Sequence, residues 1–315
     1  MDLTLLSGSS HPELTQAIAD HLGVPVTRTS VVKFSNENIK VRVDESVRGN
    51  DVFIVQTSCP PVSDNLVELL IFVDALRGAS AGRITVVLPY FPYARSDKKD
   101  EPRISITARL VADLLETAGA DRVLTLDLHS PQIHGFFRIP MDHLTAVPLL
   151  CEALAADDEM MKAPVVIAAD VGEAKDAGRF ARRLKAPLAI VDKRRTGDDE
   201  KAKPTHLVGD VSNRHALIVD DEIATGGTVF EAAKFVAAQG AASVRAAVVH
   251  PVLSGDAVTK LRASNLARLT VTDTLPLPPE KRDSRIKVVS VAPLLADAIK
   301  RIHEGDSVAE MMSTR

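Results

Sequence analysis

The feature that most restricts this chain is a set of short runs too apolar to alternate between a wet and a dry face. Asp51 to Gln56, Ile84 to Phe91, Val123 to His129, Pro164 to Asp170, Ala216 to Asp220 and Val244 to His250 are of this kind. Such strands belong to parallel sheets covered by helices on both faces. The segments between them carry helical periodicity. In Pro12 to Leu22, the residues Leu14, Ala17, Ile18 and Leu22 share one face, and Pro12 suits the first turn. The rhythm predicts βαβ units: an α/β fold of mainly parallel sheets flanked by helices.

The rhythm also repeats. Val41 to Gln56 reads strand, turn, strand, then a loop and a helix near Asn65 to Leu76; Leu207 to Asp220 has the same order, followed by a helix over Thr228 to Gln239. Small residues and another strand follow both helices. The offset is about 164 residues, half the chain, so one α/β domain is read as duplicated, with halves 1–145 and 146–315. At 315 residues the length suits two domains of roughly 150 residues, each with its own core.

Composition excludes other classes. Hydrophobic residues at 45% and charged residues at 25% are incompatible with disorder. Cys59 and Cys151 cannot frame a disulfide scaffold and lack zinc-ligand spacing. A net charge of −4, with aromatics at 3%, argues against a nucleic-acid or membrane-surface partner. No apolar stretch is long enough for a membrane span, and the first residues lack a signal peptide's basic and apolar regions, so a cytoplasmic location is expected.

The most informative stretch is Leu217 to Phe230. An apolar strand ends in Asp220 and Asp221, and Thr225-Gly226-Gly227-Thr228 then opens an amphipathic helix. Glycines let the backbone turn tightly and bring N–H groups to a ligand, while the helix start adds a positive dipole end and free donors. With the two threonine hydroxyls this makes a monophosphate cradle. Asp220 and Asp221 would accept from sugar hydroxyls or hold a metal-bound water. No Lys follows the glycines, so the loop is not a nucleotide P-loop. Asp127 and His129, two apart at the end of the strand from Val123, are read as facing one metal.

The Val-Asp-Asp-x-x-x-Thr-Gly-Gly-Thr pattern is similar to the phosphoribosyl-pyrophosphate motif of type I phosphoribosyltransferases. Phe34 to Ile39, Tyr90 to Lys99, Asp127 to Phe137, Asp192 to Arg195 and Ser307-Val308-Ala309 resemble, in order, the segments of the ribose-phosphate pyrophosphokinases. That resemblance implies two tandem type I phosphoribosyltransferase-like domains, the first a degenerate copy. It implies transfer of diphosphate from ATP to ribose 5-phosphate, a need for Mg²⁺, and a homo-oligomer, a hexamer built from dimers.

The resemblance also implies roles. Lys193 and Arg195 would be catalytic, on a loop after the strand Leu188 to Val191. Asp220, Asp221, Thr225, Gly226, Gly227 and Thr228 would bind ribose 5-phosphate. Phe34, Asn36, Glu37 and Asn38 would meet adenine, partly from a neighbouring subunit, and Arg95 and Ser96 would meet the rest of ATP. His129, Asp127 and Asp170 would hold Mg²⁺. Asp170 to Lys175 resembles a pyrophosphate loop, with Gly172 for close approach and Lys175 for charge.

Five positions depart from the family pattern: Asn38 for Glu, Ser96 for Gln, Arg138 for Asp, Glu173 for a small residue and Ala224 for Asp. Glu173 puts a carboxylate beside an anionic ligand unless a metal or Lys175 neutralises it. Ala224 removes a ribose acceptor, whose place Glu222 could approach. These departures keep a second expectation in view, a catalytically weak paralogue serving as regulatory subunit of an active synthetase. A purine phosphoribosyltransferase, for which one domain would suffice, is third.

Overall fold

The computed structural model describes residues 1–194, 203–309 and 311. The first half supplies β1 (Leu3–Ser7), β2 (Val26–Thr27), β3 (Thr29–Lys33), β4 (Ile39–Val43), β5 (Asp51–Val55), β6 (Arg83–Leu88), β7 (Arg122–Leu126) and β8 (Met141–Leu144). Six of these form a wholly parallel sheet ordered β2-β1-β5-β6-β7-β8, and β3 and β4 pair apart as an antiparallel hairpin. The second half supplies β9 (Pro164–Ala168), β10 (Leu188–Arg194), β11 (Lys203–Val208), β12 (His215–Glu222), β13 (Ser243–His250), β14 (Arg268–Thr272) and β15 (Ile286–Val289). They are ordered β11-β10-β9-β12-β13-β14-β15, and only the β10–β11 pair is antiparallel. With β11 and the hairpin set aside, the two orders are the same, and β5 and β12 occupy the same place. The repeat read between Asp51 and His215 is therefore a repeat of topology.

The helices are α1 (Pro12–Leu22), α2 (Val62–Gly78), α3 (Thr107–Ala118), α4 (Val147–Ala155), α5 (Asp158–Met161), α6 (Ala174–Leu184), α7 (Gly227–Ala238), α8 (Ala257–Ala263) and α9 (Ala292–Glu304). Pro12 opens α1 and Gly23, at φ 69°, ends it in the left-handed conformation that glycine adopts without strain. Leu14 and Ile18 form its buried face.

Three cores result. Phe72 and Val73 of α2 and Val111 and Leu115 of α3 pack on the outer face of the first sheet. Val229 and Val236 of α7 and Leu261 of α8 pack on the outer face of the second. The third core belongs to both halves: Ile18 of α1, Leu150 of α4, Phe180 of α6 and Ile299 of α9 fill the space between Phe53 and Leu124 of one sheet and Val166 and Leu217 of the other. Each such side chain stabilises the fold by about 1.5–3 kcal/mol on burial. The expectation that each half buries a core of its own is thus incomplete, because a central helical layer is shared. Asp51 reinforces it from the first sheet, accepting hydrogen bonds from Arg83 Nε at 2.7 Å and His303 Nδ1 of α9 at 2.8 Å. Cys59 and Cys151 are buried, unpaired thiols. Among the described residues, no helix is long and apolar enough to cross a membrane.

Several strands end earlier than their apolar runs suggest. The run from Val123 to His129 leaves the sheet at Leu126, because Asp127 adopts φ 33° and turns the chain. The run from Ala216 instead extends, and β12 continues to Glu222, paired with His250 of β13.

Candidate active site

The carboxyl ends of both sheets converge. In the second, α6 packs against the shared core and α7 against the outer one, so β9 and β12, which are neighbours, send their helices to opposite faces. That is a topological switch point, where open α/β sheets bind ligands. A cleft of ≈ 170 Å³ opens there, lined by Asp170 and Glu173 after β9, by Asp220 to Val229, and by Arg95 and His129 of the first half.

The cradle forms one wall. Gly226 sits at φ 74°, and a Cβ there would drive into the Phe230 ring. Gly227 opens α7, and Thr225 and Thr228 are exposed at its mouth. The loop after β13 braces this turn from behind, with the Leu253 and Ser254 amides donating to the Ile223 and Ala224 carbonyls at 2.9 and 3.0 Å.

Carboxylates line the same cleft. Burial, with Asp221 beside it, holds Asp220 well above the usual carboxylate range. Burial also opposes ionisation of Asp221, but the hydrogen bond from His129 (Nδ1 to Oδ2, 2.7 Å) prevails and holds its pKa low. The same bond raises the His129 pKa, favouring an imidazolium. Glu173 is pushed up to about 7 by burial, then by the Asp221 and Asp170 charges. The His129 charge opposes that rise. Arg95 and Glu222 cross the cleft from opposite halves, 3.4 Å apart.

His129, Asp170, Arg95, Asp220, Asp221 and Thr225 to Thr228 are therefore brought together. Asp127 does not line this cleft but lines a smaller adjoining pocket together with Glu173, Asp220 and Asp221. Its carboxylate turns inward, accepting from the Thr145 hydroxyl at 2.7 Å and the Ala146 amide at 2.6 Å. Burial pushes its pKa up to about 6. The left-handed turn at Asp127 breaks the two-residue alternation that would have aimed it with His129. The Ser96 hydroxyl accepts from the Thr107 amide at 3.2 Å, at the start of α3. Phe34, Asn36, Glu37 and Asn38 form the turn of the β3–β4 hairpin, exposed and not among the cleft's lining. Lys193 lies in β10. Arg195 falls outside the described residues.

Three residues had no role assigned from sequence. Tyr90 donates its hydroxyl to Glu222 Oε2 at 2.7 Å. His250 ends β13, with Nε2 on the Asp127 carbonyl and Nδ1 on the Thr274 hydroxyl, both at 3.0 Å. Thr274 carries the contact on, its carbonyl accepting from Thr57 Oγ1 at 2.6 Å. A polar residue at the carboxyl end of a parallel strand was the available signal.

Metal binding can be judged from the donors. Among the described residues, no three His, Cys, Asp or Glu groups converge into a metal cage. Mg²⁺ characteristically takes one or two protein carboxylates together with substrate phosphates. Asp170, in a cleft with surplus carboxylate charge, fits that mode, and His129 could join it only as the neutral imidazole, against the pull of Asp221 toward the imidazolium.

Comparison with known proteins agrees with the architecture. Residues 3–119 match the family model for the N-terminal domain of ribose phosphate pyrophosphokinase, and residues 196–313 match the phosphoribosyl synthetase-associated domain. The ribose-phosphate pyrophosphokinase of Deinococcus radiodurans is 48% identical over 314 residues, covering 99% of this chain and 98% of that protein. That of Caldanaerobacter subterraneus subsp. tengcongensis is 47% identical over 311 residues, with 99% and 98% coverage. The crystal structure of phosphoribosylpyrophosphate synthetase from Mycobacterium smegmatis superimposes with a TM-score of 0.91 at 42% identity, over 97% of this chain and 100% of that one. A repeated α/β fold, a Thr-Gly-Gly-Thr turn opening a helix at its switch point and full-length likeness to these enzymes place the chain among the ribose-phosphate pyrophosphokinases.

Proposed function

We propose that the chain transfers diphosphate from ATP to the 1-hydroxyl of ribose 5-phosphate, releasing AMP. The observation that carries this reading is the cleft's composition from both halves, with the Thr225–Thr228 turn and the Asp220–Asp221 carboxylates from the second and Arg95 and His129 from the first. Thr225 to Thr228 would seat the 5-phosphate on the α7 N-terminus, and Asp220 and Asp221 would accept from the ribose hydroxyls. The anomeric oxygen would attack the β-phosphorus as the bond to the α-phosphate breaks. Such transfer depends on positioning and charge stabilisation. His129 and Asp170 would hold Mg²⁺, which would offset the charge of the phosphates during transfer. Lys193 and Arg195 would supply further cations to the transferring group.

Adenine would be met by Phe34 and Asn36 to Asn38 from another subunit of a homo-oligomer, a reading supported by the exposure of this turn and its place outside the cleft.

The test is AMP release by the pure protein with ATP, ribose 5-phosphate and Mg²⁺. Lys193→Ala should abolish turnover while leaving ribose 5-phosphate binding nearly intact. Absence of AMP release, with binding to an active synthetase, would sink this reading in favour of a regulatory subunit.

A further inference from the structure

We propose that Glu222 is a positioning residue that holds Arg95 of the first half across the cradle of the second, ready for the nucleotide's phosphates. The inference rests on the reading of ATP as diphosphate donor.

A carboxylate in a cleft built for polyanions is unfavourable unless it is paired. The Glu222 side chain is only 7% exposed, and both its oxygens have partners from the opposite half. Oε2 receives the Tyr90 hydroxyl at 2.7 Å, and Oε1 faces Arg95 Nη1 at 3.4 Å. Each Glu222 oxygen thus already meets a group of the first half.

The support is rigid on one side and open on the other. The Glu222 backbone is paired with His250 in the β12–β13 ladder. The Tyr90 ring rests on the His250 ring at 4.8 Å, so the phenol that fixes Glu222 is itself fixed. Burial raises the Tyr90 pKa, keeping the hydroxyl a donor. Arg95 is 66% exposed and meets Glu222 through one nitrogen. A guanidinium has five N–H donors in a planar fork, so this grip orients it and leaves donors for a phosphate.

Kinetics of wild type, Glu222→Gln, Arg95→Ala and the double variant test the proposal. Glutamine keeps an acceptor for Tyr90 but loses the charge. Glu222→Gln should raise KM for ATP roughly five- to tenfold, with a much smaller change in kcat and KM for ribose 5-phosphate within about twofold. On the Arg95→Ala background it should add nothing further. Glu222→Asp should recover part of the loss. An unchanged KM for ATP, an equal effect in both backgrounds, or a rise in KM for ribose 5-phosphate alone would overturn the proposal. If wild type binds ATP without releasing AMP, the proposed reaction fails, and calorimetric ATP affinities of the same four proteins decide the coupling. Wild type that binds no ATP overturns both.

Discussion

His250, at the end of β13 in the second half, packs its ring on Tyr90 of the first half, centroid to centroid at 4.8 Å and tilted by 47°. The same imidazole grips the Asp127 carbonyl through Nε2 and takes the Thr274 hydroxyl on Nδ1. A carbonyl only accepts, so Nε2 carries a proton, and burial favours the neutral ring.

Acid should weaken this junction. Burial pushes the His250 pKa down to about 4, against about 6.5 in an unfolded chain. A depressed histidine binds protons more readily when unfolded. Its stabilisation is therefore complete above pH ~6.5 and is lost as pH falls toward 4, by about 3 kcal/mol at most. His143, whose Nε2 accepts the Leu128 amide at 2.8 Å, is likewise pushed to about 4 by burial and adds to the slope. Denaturant unfolding from pH 7.5 to 4.5 should show stability dropping below pH 6.5, and His250→Asn should flatten part of that slope.

The two cradle glycines should differ. Gly226 needs φ 74°, and a side chain there meets Phe230; Gly227 has nothing within 4 Å of a Cβ. Gly226→Ala should cost about 1–3 kcal/mol of stability and lose ribose 5-phosphate binding. Gly227→Ala should fold normally, since Ala suits a helix start. If its ribose 5-phosphate affinity still falls tenfold or more by calorimetry, close backbone approach is what Gly227 provides; an unchanged affinity would place the ligand elsewhere.

How much was legible follows from what each residue needs. The parallel strands and the cradle depend on local pattern, so Ala216 to Asp220 and Thr225 to Thr228 could be read along the chain. The end of β7 could not, because nothing local announces φ 33° at a non-glycine Asp127. The shared core was hidden for another reason: Ile18 reads as part of one helix face, and only the fold makes it one layer with Ile299 of α9. Glu222 was visible as a nearby carboxylate, but its partners lie 132 residues away at Tyr90, a distance no spacing rule spans.

Asp51 offers a test of that shared layer. It is almost fully buried and pairs with Arg83 and, across the halves, with His303. Removing its charge leaves a guanidinium facing a site that no longer neutralises it. Asp51→Asn should lower stability by about 2–4 kcal/mol, discounted from a fully buried pair because Arg83 is partly exposed. His303→Ala should cost less. Calorimetric unfolding of both variants checks the order, and a smaller loss for Asp51→Asn would mean that α9 is held by its apolar face alone.

Asp127 and Asp170 separate structure from metal chemistry. Asp127 braces the Thr145–Ala146 turn that leads into α4, whereas Asp170 faces the cleft. Asparagine keeps an acceptor for that turn and removes a buried charge, so Asp127→Asn should change stability by less than about 1 kcal/mol. It should also leave the Mg²⁺ concentration for half-maximal activity unchanged. Asp127→Ala strands a hydroxyl and an amide and should cost about 1–3 kcal/mol. Asp170→Asn should instead raise the Mg²⁺ requirement tenfold or more with little effect on folding. Mg²⁺ titrations of AMP release, run beside thermal unfolding of the three variants, distinguish the roles. A raised Mg²⁺ requirement in Asp127→Asn would return that residue to the metal site.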